Sequence, residues 1–209
     1  MRVCSYKLNV DSGFAPNPFF GQLTLATCKP GIRRTKKIGD WIAGFTSKRL
    51  AGDEVNGEKL IFLMEVTDVI EQSAYYAKKA FKRKIPDFAA VRRIERMGDN
   101  IYRPLRQPAR GPDDFEQIRN PNHGSRHKKR DLSGNRVLVS ENFYYFGRRA
   151  PEIPDEIRPR IPRGQTGYGV WTKGERAEAL VDRVQRNFRQ GVLDRPHMWR
   201  KSDDSWNIG

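Results

Sequence analysis

Leu60-Ile61-Phe62-Leu63-Met64-Glu65-Val66-Thr67-Asp68-Val69-Ile70 is the segment on which the fold turns. It is long and apolar and ends in β-branched residues, so it predicts a central β-strand, the strongest in the chain. Just upstream, Ile38-Gly39-Asp40-Trp41-Ile42-Ala43-Gly44-Phe45 reads as a Gly-Asp turn entering a second strand. A charged, glycine-bearing loop from Arg49 to Lys59 separates the two, which predicts an antiparallel pair.

Working outward, Arg2 to Val10 alternates loosely and predicts an opening strand. Asp11 to Gly21 packs two prolines, two glycines and three phenylalanines into eleven residues, the composition of a loop. Its phenylalanines either tuck into a core or present a stacking surface. Leu23 to Cys28 predicts a short strand. Downstream, Ser73 to Phe81 predicts a short helix, and Asp87 to Met97 another, with Phe88, Val91 and Ile94 at helical spacing. Residues 103–135 are rich in Arg, Pro, Gly and Asn and predict a long, basic surface excursion. Arg136–Ser140 and Phe143–Phe146 are strand-like. Thr172 and Glu175 have the spacing of a capping box, and Ala177, Leu180, Val181, Val184 and Phe188 form one apolar stripe, which predicts a C-terminal helix over 172–190. The expected fold is α+β: one domain over residues 1–209, with five to seven strands in a strongly bent mixed sheet or partly open barrel and peripheral helices.

Charge is the informative bulk property. Lys and Arg number 40 against 25 Asp and Glu, a net charge of +15. The excess is spread along the chain: residues 1–67, 68–98, 99–136 and 137–209 are each positive by three or four. A folded body with this charge points to a polyanion, so the expected partner is a nucleic acid or nucleotide. The alternative is a merely solvated, arginine-rich surface. No stretch approaches the ~20 apolar residues of a membrane span, and the N-terminus lacks a signal peptide's apolar run, so no membrane partner and a cytoplasmic location are expected. Cys4 and Cys28 form no CxxC pair, and His123, His127 and His197 are scattered, so neither a metal site nor a cofactor is expected.

Gly-rich phosphate loops, G-x-S-x-G, H-E-x-x-H and the zinc-deaminase signature are all missing from the sequence. Two basic clusters, Lys82-Arg83-Lys84 and Arg126 with Lys128-Lys129-Arg130, are candidate phosphate contacts. In Gly98-Asp99-Asn100-Ile101-Tyr102, Asp99 offers a carboxylate, Asn100 an amide for a base edge, and Tyr102 a stacking face with a hydroxyl. With His123, Asp99 makes a candidate acid–base pair. The competing reading of this block is a tight turn with an Asx hydrogen bond.

The order of Cys28-Lys29-Pro30-Gly31-Ile32-Arg33-Arg34, Gly39-Asp40-Trp41, Phe45-Thr46-Ser47-Lys48 and Leu60 to Val66 resembles the barrel core of PUA-like domains, the EVE, YTH and ASCH relatives. That resemblance implies a pocket for one, often modified, nucleobase. A wider set of blocks resembles the nucleotide modification associated domain, type two. These are Asn17-Pro18-Phe19, Cys28 to Arg33, Gly39 to Gly44, Leu60 to Val69, Gly98 to Tyr102, His123, Val137 to Ser140 and Phe143 to Gly147. It implies a bacterial or phage protein linked to base modification or conflict systems, with partner proteins of such a system.

Together these readings place base or nucleotide binding on Asn17, Phe19, Cys28, Lys29, Pro30 and Arg33, with Trp41, Phe45, Ser47, Lys48, Asn100 and Tyr102. One cavity is expected to gather them with Asp99 and His123. Two functions compete: a reader that holds a base by stacking and edge hydrogen bonds, and an enzyme with Asp99 and His123 as acid and base and Cys28 or Lys29 as nucleophile. A basic scaffold for other proteins is the third.

Overall fold

The computed structural model describes residues 1–51, 58–121, 123–163, 168–200 and 202–203. The elements in order are β1 (Arg2–Leu8), β2 (Leu23–Leu25), α1 (Pro30–Thr35), β3 (Trp41–Thr46), α2 (Lys48–Ala51), β4 (Leu60–Glu65), β5 (Asp68–Glu71) and α3 (Gln72–Ala77). Then come α4 (Arg93–Arg96), β6 (Tyr102–Pro104), β7 (Phe115–Gln117), α5 (Lys128–Leu132), β8 (Arg136–Ser140), β9 (Phe143–Tyr145), β10 (Val170–Lys173), α6 (Glu175–Asn187) and β11 (Gly191–Val192).

The main sheet has six strands in the order β10-β1-β3-β4-β9-β11. It is mixed: β1 and β3 run parallel, as do β9 and β11, while β3–β4, β4–β9 and β1–β10 are antiparallel. β4 lies in its middle, with Phe62, Leu63 and Met64 facing β3 on one edge and β9 on the other, all fully buried. The antiparallel pairing across the loop is as expected; residues 52–57 of that loop lie outside the described residues. A second sheet, β2-β8-β5, is antiparallel, and β6 and β7 form a hairpin. No closed barrel forms among the described strands. The α+β class and the mixed sheet are as expected.

Four local expectations change. The 60–70 segment is two strands, not one, because the chain hands over between sheets: Val66 N–H donates to Asp40 O at 2.8 Å, and Thr67 N–H donates to Val139 O at 2.9 Å. The 87–97 helix shrinks to α4, because only Ile94 of its apolar stripe is buried, and Val91 is 93% exposed. Thr172 is no helix cap: it lies within β10, and its hydroxyl accepts the Arg160 N–H at 2.7 Å, leaving Gly174 at the cap of α6. The 103–135 excursion is anchored, since Phe115, His123, Asp131 and Leu132 are buried.

The principal core joins the main sheet to Ala177, Leu180, Val181 and Val184 of α6, the predicted stripe. A smaller core contains Phe14 and Phe19 of the 11–21 loop, Ile101, Tyr102, Phe115, Leu132 and Trp199. Packing of both cores walls the cleft described next, from β1 and the 11–15 loop on one side and the start of α1 on the other.

Candidate active site

A cleft of about 460 Å³ opens between the end of β1 and the turn before α1. Tyr6, Leu8 and Phe14 form apolar wall, and Cys28, Lys29, His123, His127 and Arg130 bring chemistry to it. None of its lining residues among those described is Asp or Glu, and Lys7, Lys29 and Arg130 are its cations, with Arg130 3.6 Å from the buried Asp131 carboxylate. Lys7, also in the lining, is paired with Glu58 at 2.6 Å.

Cys28 and Lys29 reach the cleft through an unusual backbone. Both have positive φ, 56° and 40°, a left-handed turn that non-glycine residues rarely adopt. Pro30 then starts α1, where a missing N–H costs nothing. The turn presents the Cys28 thiol, with its ligand atom and those of His123 and Asp131 all within 4.8 Å of one another. His123 Nε2 and Asp131 Oδ2 share a short hydrogen bond, and the Tyr102 hydroxyl donates to the same oxygen at 3.0 Å. Gln117 fixes the histidine backbone by donating to His123 O at 2.7 Å.

The electrostatics are consistent with a thiol at rest and a charged carboxylate. Burial pushes the Cys28 thiol up, with Asp131 adding to the rise and Arg130 and Arg33 opposing it. Burial also acts to raise Asp131, but the His123 hydrogen bond and charge, together with Arg33, bring it below its ordinary range. Burial raises Tyr102, with Asp131 adding, so it stays a hydroxyl donor. Lys29 is lowered by burial and lies 5.1 Å over the Tyr6 ring. With Nε2 engaged by Asp131, the other ring nitrogen of His123 is the one left for a second partner. Thiol, imidazole and carboxylate are the residue types of a nucleophile, a base and an orienting acid, gathered here within 4.8 Å of one another.

Cysteine sulfur, imidazole nitrogen and carboxylate oxygen are also ligands that zinc takes, and the three atoms are close enough to serve one ion.

The remaining predicted residues fall elsewhere. Arg33 is fully buried and cannot touch a ligand. Its Nε donates to Cys28 O at 2.8 Å, Nη1 to Arg136 O at 2.6 Å, and Nη2 to Asp131 O, so it braces the site from behind. Trp41, Phe45 and Phe19 are buried in the cores and present no stacking face. Ser47 N–H holds Leu8 O at 3.0 Å, and Lys48 is exposed at the start of α2; neither lines the cleft.

The Gly98–Tyr102 block divides. Tyr102 joins His123 and Asp131, but Asp99 is sealed in another network, accepting from Tyr75 and Thr24 hydroxyls at 2.7 Å each. Asn100 Nδ2 donates to Tyr75 O and Phe81 O, both at 3.2 Å. The carboxylate partner of His123 is therefore Asp131, and the Asp99–His123 pairing is not formed. Asn17 belongs to the Asp99 side, with its Nδ2 on Met97 O at 2.9 Å. Lys84 is buried, donating to Asn17 Oδ1, Asn17 O and Gln22 O, and is no phosphate contact. Lys82 and Arg83 stay exposed, over the Tyr76 and Phe20 rings. Arg126, Lys129 and Arg130 are also exposed and Lys128 is half-buried, with only Arg130 of the four at the cleft.

The profile of the family described as nucleotide modification associated domain 2 matches residues 1–203. The chain belongs to this family. No curated protein and no solved structure matches it. The match to nucleotide modification associated domain 2 runs through β1, the α1 turn, the hairpin, α5 and the Trp199 segment, so every wall of the cleft lies inside the family's domain. Asp131 and Tyr6 went unread in the sequence. Asp131 sits eight residues beyond His123 in a basic run that masked it, and Tyr6 looked like any strand residue.

Proposed function

We propose that the protein is an enzyme of nucleotide modification that acts covalently through Cys28 on a nucleotide-bearing substrate in this cleft. The observation that carries the reading is the convergence of Cys28 and His123 on the lining of a cleft that also carries Lys29 and Arg130, with the buried Asp131 behind them. His123 accepts the thiol proton while Asp131 holds its ring; the thiolate adds to an electrophilic double-bonded carbon of the base, the displaced π pair takes that proton back from His123, and the reverse elimination later releases the Cys28 thiol. Lys29 and Arg130 face phosphate, and the Tyr6–Phe14 wall faces the flat base. Supporting the substrate class is the family's own description. A pure reader is less well supported, because Trp41, Phe45 and Asn100, its aromatic and edge contacts, lie in the interior.

Nucleosides from DNA and RNA of cells producing the wild type, Cys28→Ser and no protein test this directly by mass spectrometry. A nucleoside change present with wild type and missing with Cys28→Ser is expected. Identical profiles from all three would sink the reading. In vitro, iodoacetamide should label Cys28 at least roughly tenfold more slowly in His123→Ala, because the base is gone. A second reading rests on the same donors: a zinc-class ion held by Cys28, His123 and Asp131, which elemental analysis of the purified protein detects.

A further inference from the structure

The cleft is not the only basic concavity. A second groove of about 510 Å³ is lined by Lys36, Lys37, Ile38, Val69, Ile70, Glu71 and Arg136. The two are joined from behind by one side chain, because Arg33 bonds the carbonyls of Cys28 in the cleft, Asp131 in α5 and Arg136 at the groove. Gly134 lets α5 close onto it: a Cβ there would sit 2.9 Å from the Arg33 guanidinium.

The surface above this brace is a run of cations. Arg130 stands at the cleft, with a side chain 54% exposed. Arg34, on the outer face of α1, is exposed and donates to Ser133 O at 3.3 Å. Arg136, also exposed, donates to Arg34 O at 3.5 Å and then lines the groove beside exposed Lys37. Ile38, 64% exposed, offers an apolar face at the far end. Glu71 is the one acid lining that groove among the described residues. A free nucleotide would use only the cleft; nothing about it requires cations along α1 and α5 that lead away to a second groove.

We propose that this strip carries the sugar–phosphate backbone of a single-stranded nucleic acid, so that the substrate is a polynucleotide presenting one nucleotide to Cys28. The proposal rests on the reading of the cleft as a nucleotide site. A run of guanidinium and ammonium groups along one strip suits successive phosphates. A single strand is favoured because a base reaching a cleft floor must be out of any stack.

The test uses the full chain with Arg34→Ala, Lys37→Ala and Arg136→Ala combined, all outside the cleft. Fluorescence anisotropy with a labelled single-stranded 20-mer, over a range of salt, should give at least tenfold weaker binding. The log–log salt slope should flatten by about two, since each phosphate contact of a single strand contributes ~0.7. Binding of a labelled nucleoside monophosphate should not change. A control replacing Arg176, Arg183 and Arg186 of α6 by Ala removes equal charge elsewhere and should leave the 20-mer affinity within about twofold. Unchanged 20-mer binding in the strip variant overturns the proposal, as does an equal loss in the control or an equal loss for the mononucleotide. Photocrosslinking with a 5-iodouracil 20-mer separates the two readings. Weakened strip binding with crosslinks at Tyr6 or Phe14 supports both, while the same weakening with crosslinks only outside the cleft keeps the strip and removes the cleft as the nucleotide site.

Discussion

At the scale of single residues, buried polar side chains tie distant segments of this protein together at two places. Arg33 does so behind the Cys28 site, where a planar guanidinium serves three carbonyls that a lysine ammonium would not match in geometry. Lys84 and Asp99 do so beneath the 11–21 loop. Burial holds Lys84 down to about 8, with Asp99 raising it, and raises Asp99, with Lys84 opposing. Each side chain is buried among its own hydrogen bonds and feels the other's charge, so Asp99→Asn or Lys84→Met alone should cost about 1–3 kcal/mol, and the double variant less than the sum. Urea titrations of the four proteins check this. The pH dependence has a defined sign. Lys84 has an ordinary pKa of 10.5, so between about 8 and 10.5 the unfolded chain binds more protons than the folded one. Stability attributable to this lysine therefore rises with pH through that window. The urea midpoint should gain more between pH 7.5 and 9.5 in wild type than in Lys84→Met; equal gains would refute the assignment.

At the scale of elements, close approach rather than propensity fixes the centre of the sheet. A Cβ on Gly44 of β3 would stand 2.1 Å from Phe62 Cε1 and 2.6 Å from Leu8 Cδ1, so β1, β3 and β4 pack only around a glycine. Gly44→Ala should destabilise by about 1–3 kcal/mol or more by overpacking, read as a lower denaturant midpoint with an unchanged slope. Leu8 also lines the cleft, so the same substitution should slow alkylation of Cys28 if the wall shifts. Periodicity predicted β1, β3, β4, β8, β9 and the buried stripe of α6, because each places its own apolar residues against a neighbour. It failed for 60–70, where a local pattern cannot say that two halves pair with different sheets, and for 87–97, where Phe88 and Val91 meet solvent. It also assigned Thr172 to a helix cap, a spacing that β10 uses for another purpose.

At the scale of the whole molecule, residues 6–15 and 197–199, far apart in sequence, meet at the cleft. Trp199 is fully buried, lies 5.4 Å from the Phe19 ring, and donates its indole N–H to Ser12 O at 2.8 Å. Met198 beside it lines the cleft, and Asp11 accepts His197 N–H at 2.9 Å and the Tyr145 hydroxyl. Trp199→Ala should cost about 3–5 kcal/mol and, through the 11–15 loop, weaken mononucleotide binding. A thermal melt together with anisotropy reads both, and binding retained at full strength would show that the C-terminal segment does not shape the cleft. No helix among the described residues is long and apolar enough to cross a membrane. By itself, the sequence determined the α+β class, most strands of the main sheet, the distributed positive charge and the family, because those follow from local periodicity, composition and ordered motifs. It also marked Cys28, Lys29, His123 and Tyr102 as chemically interesting. Only the tertiary structure decided which of them meet. Residues 28, 123 and 131 are brought together by two separate sheets and a buried arginine, while Asp99, one position from Asn100 and three from Tyr102, turns into a different interior. Neighbours along a strand alternate between faces and distant turns converge in space, so a carboxylate's partner is a property of packing, and sequence spacing cannot reveal it.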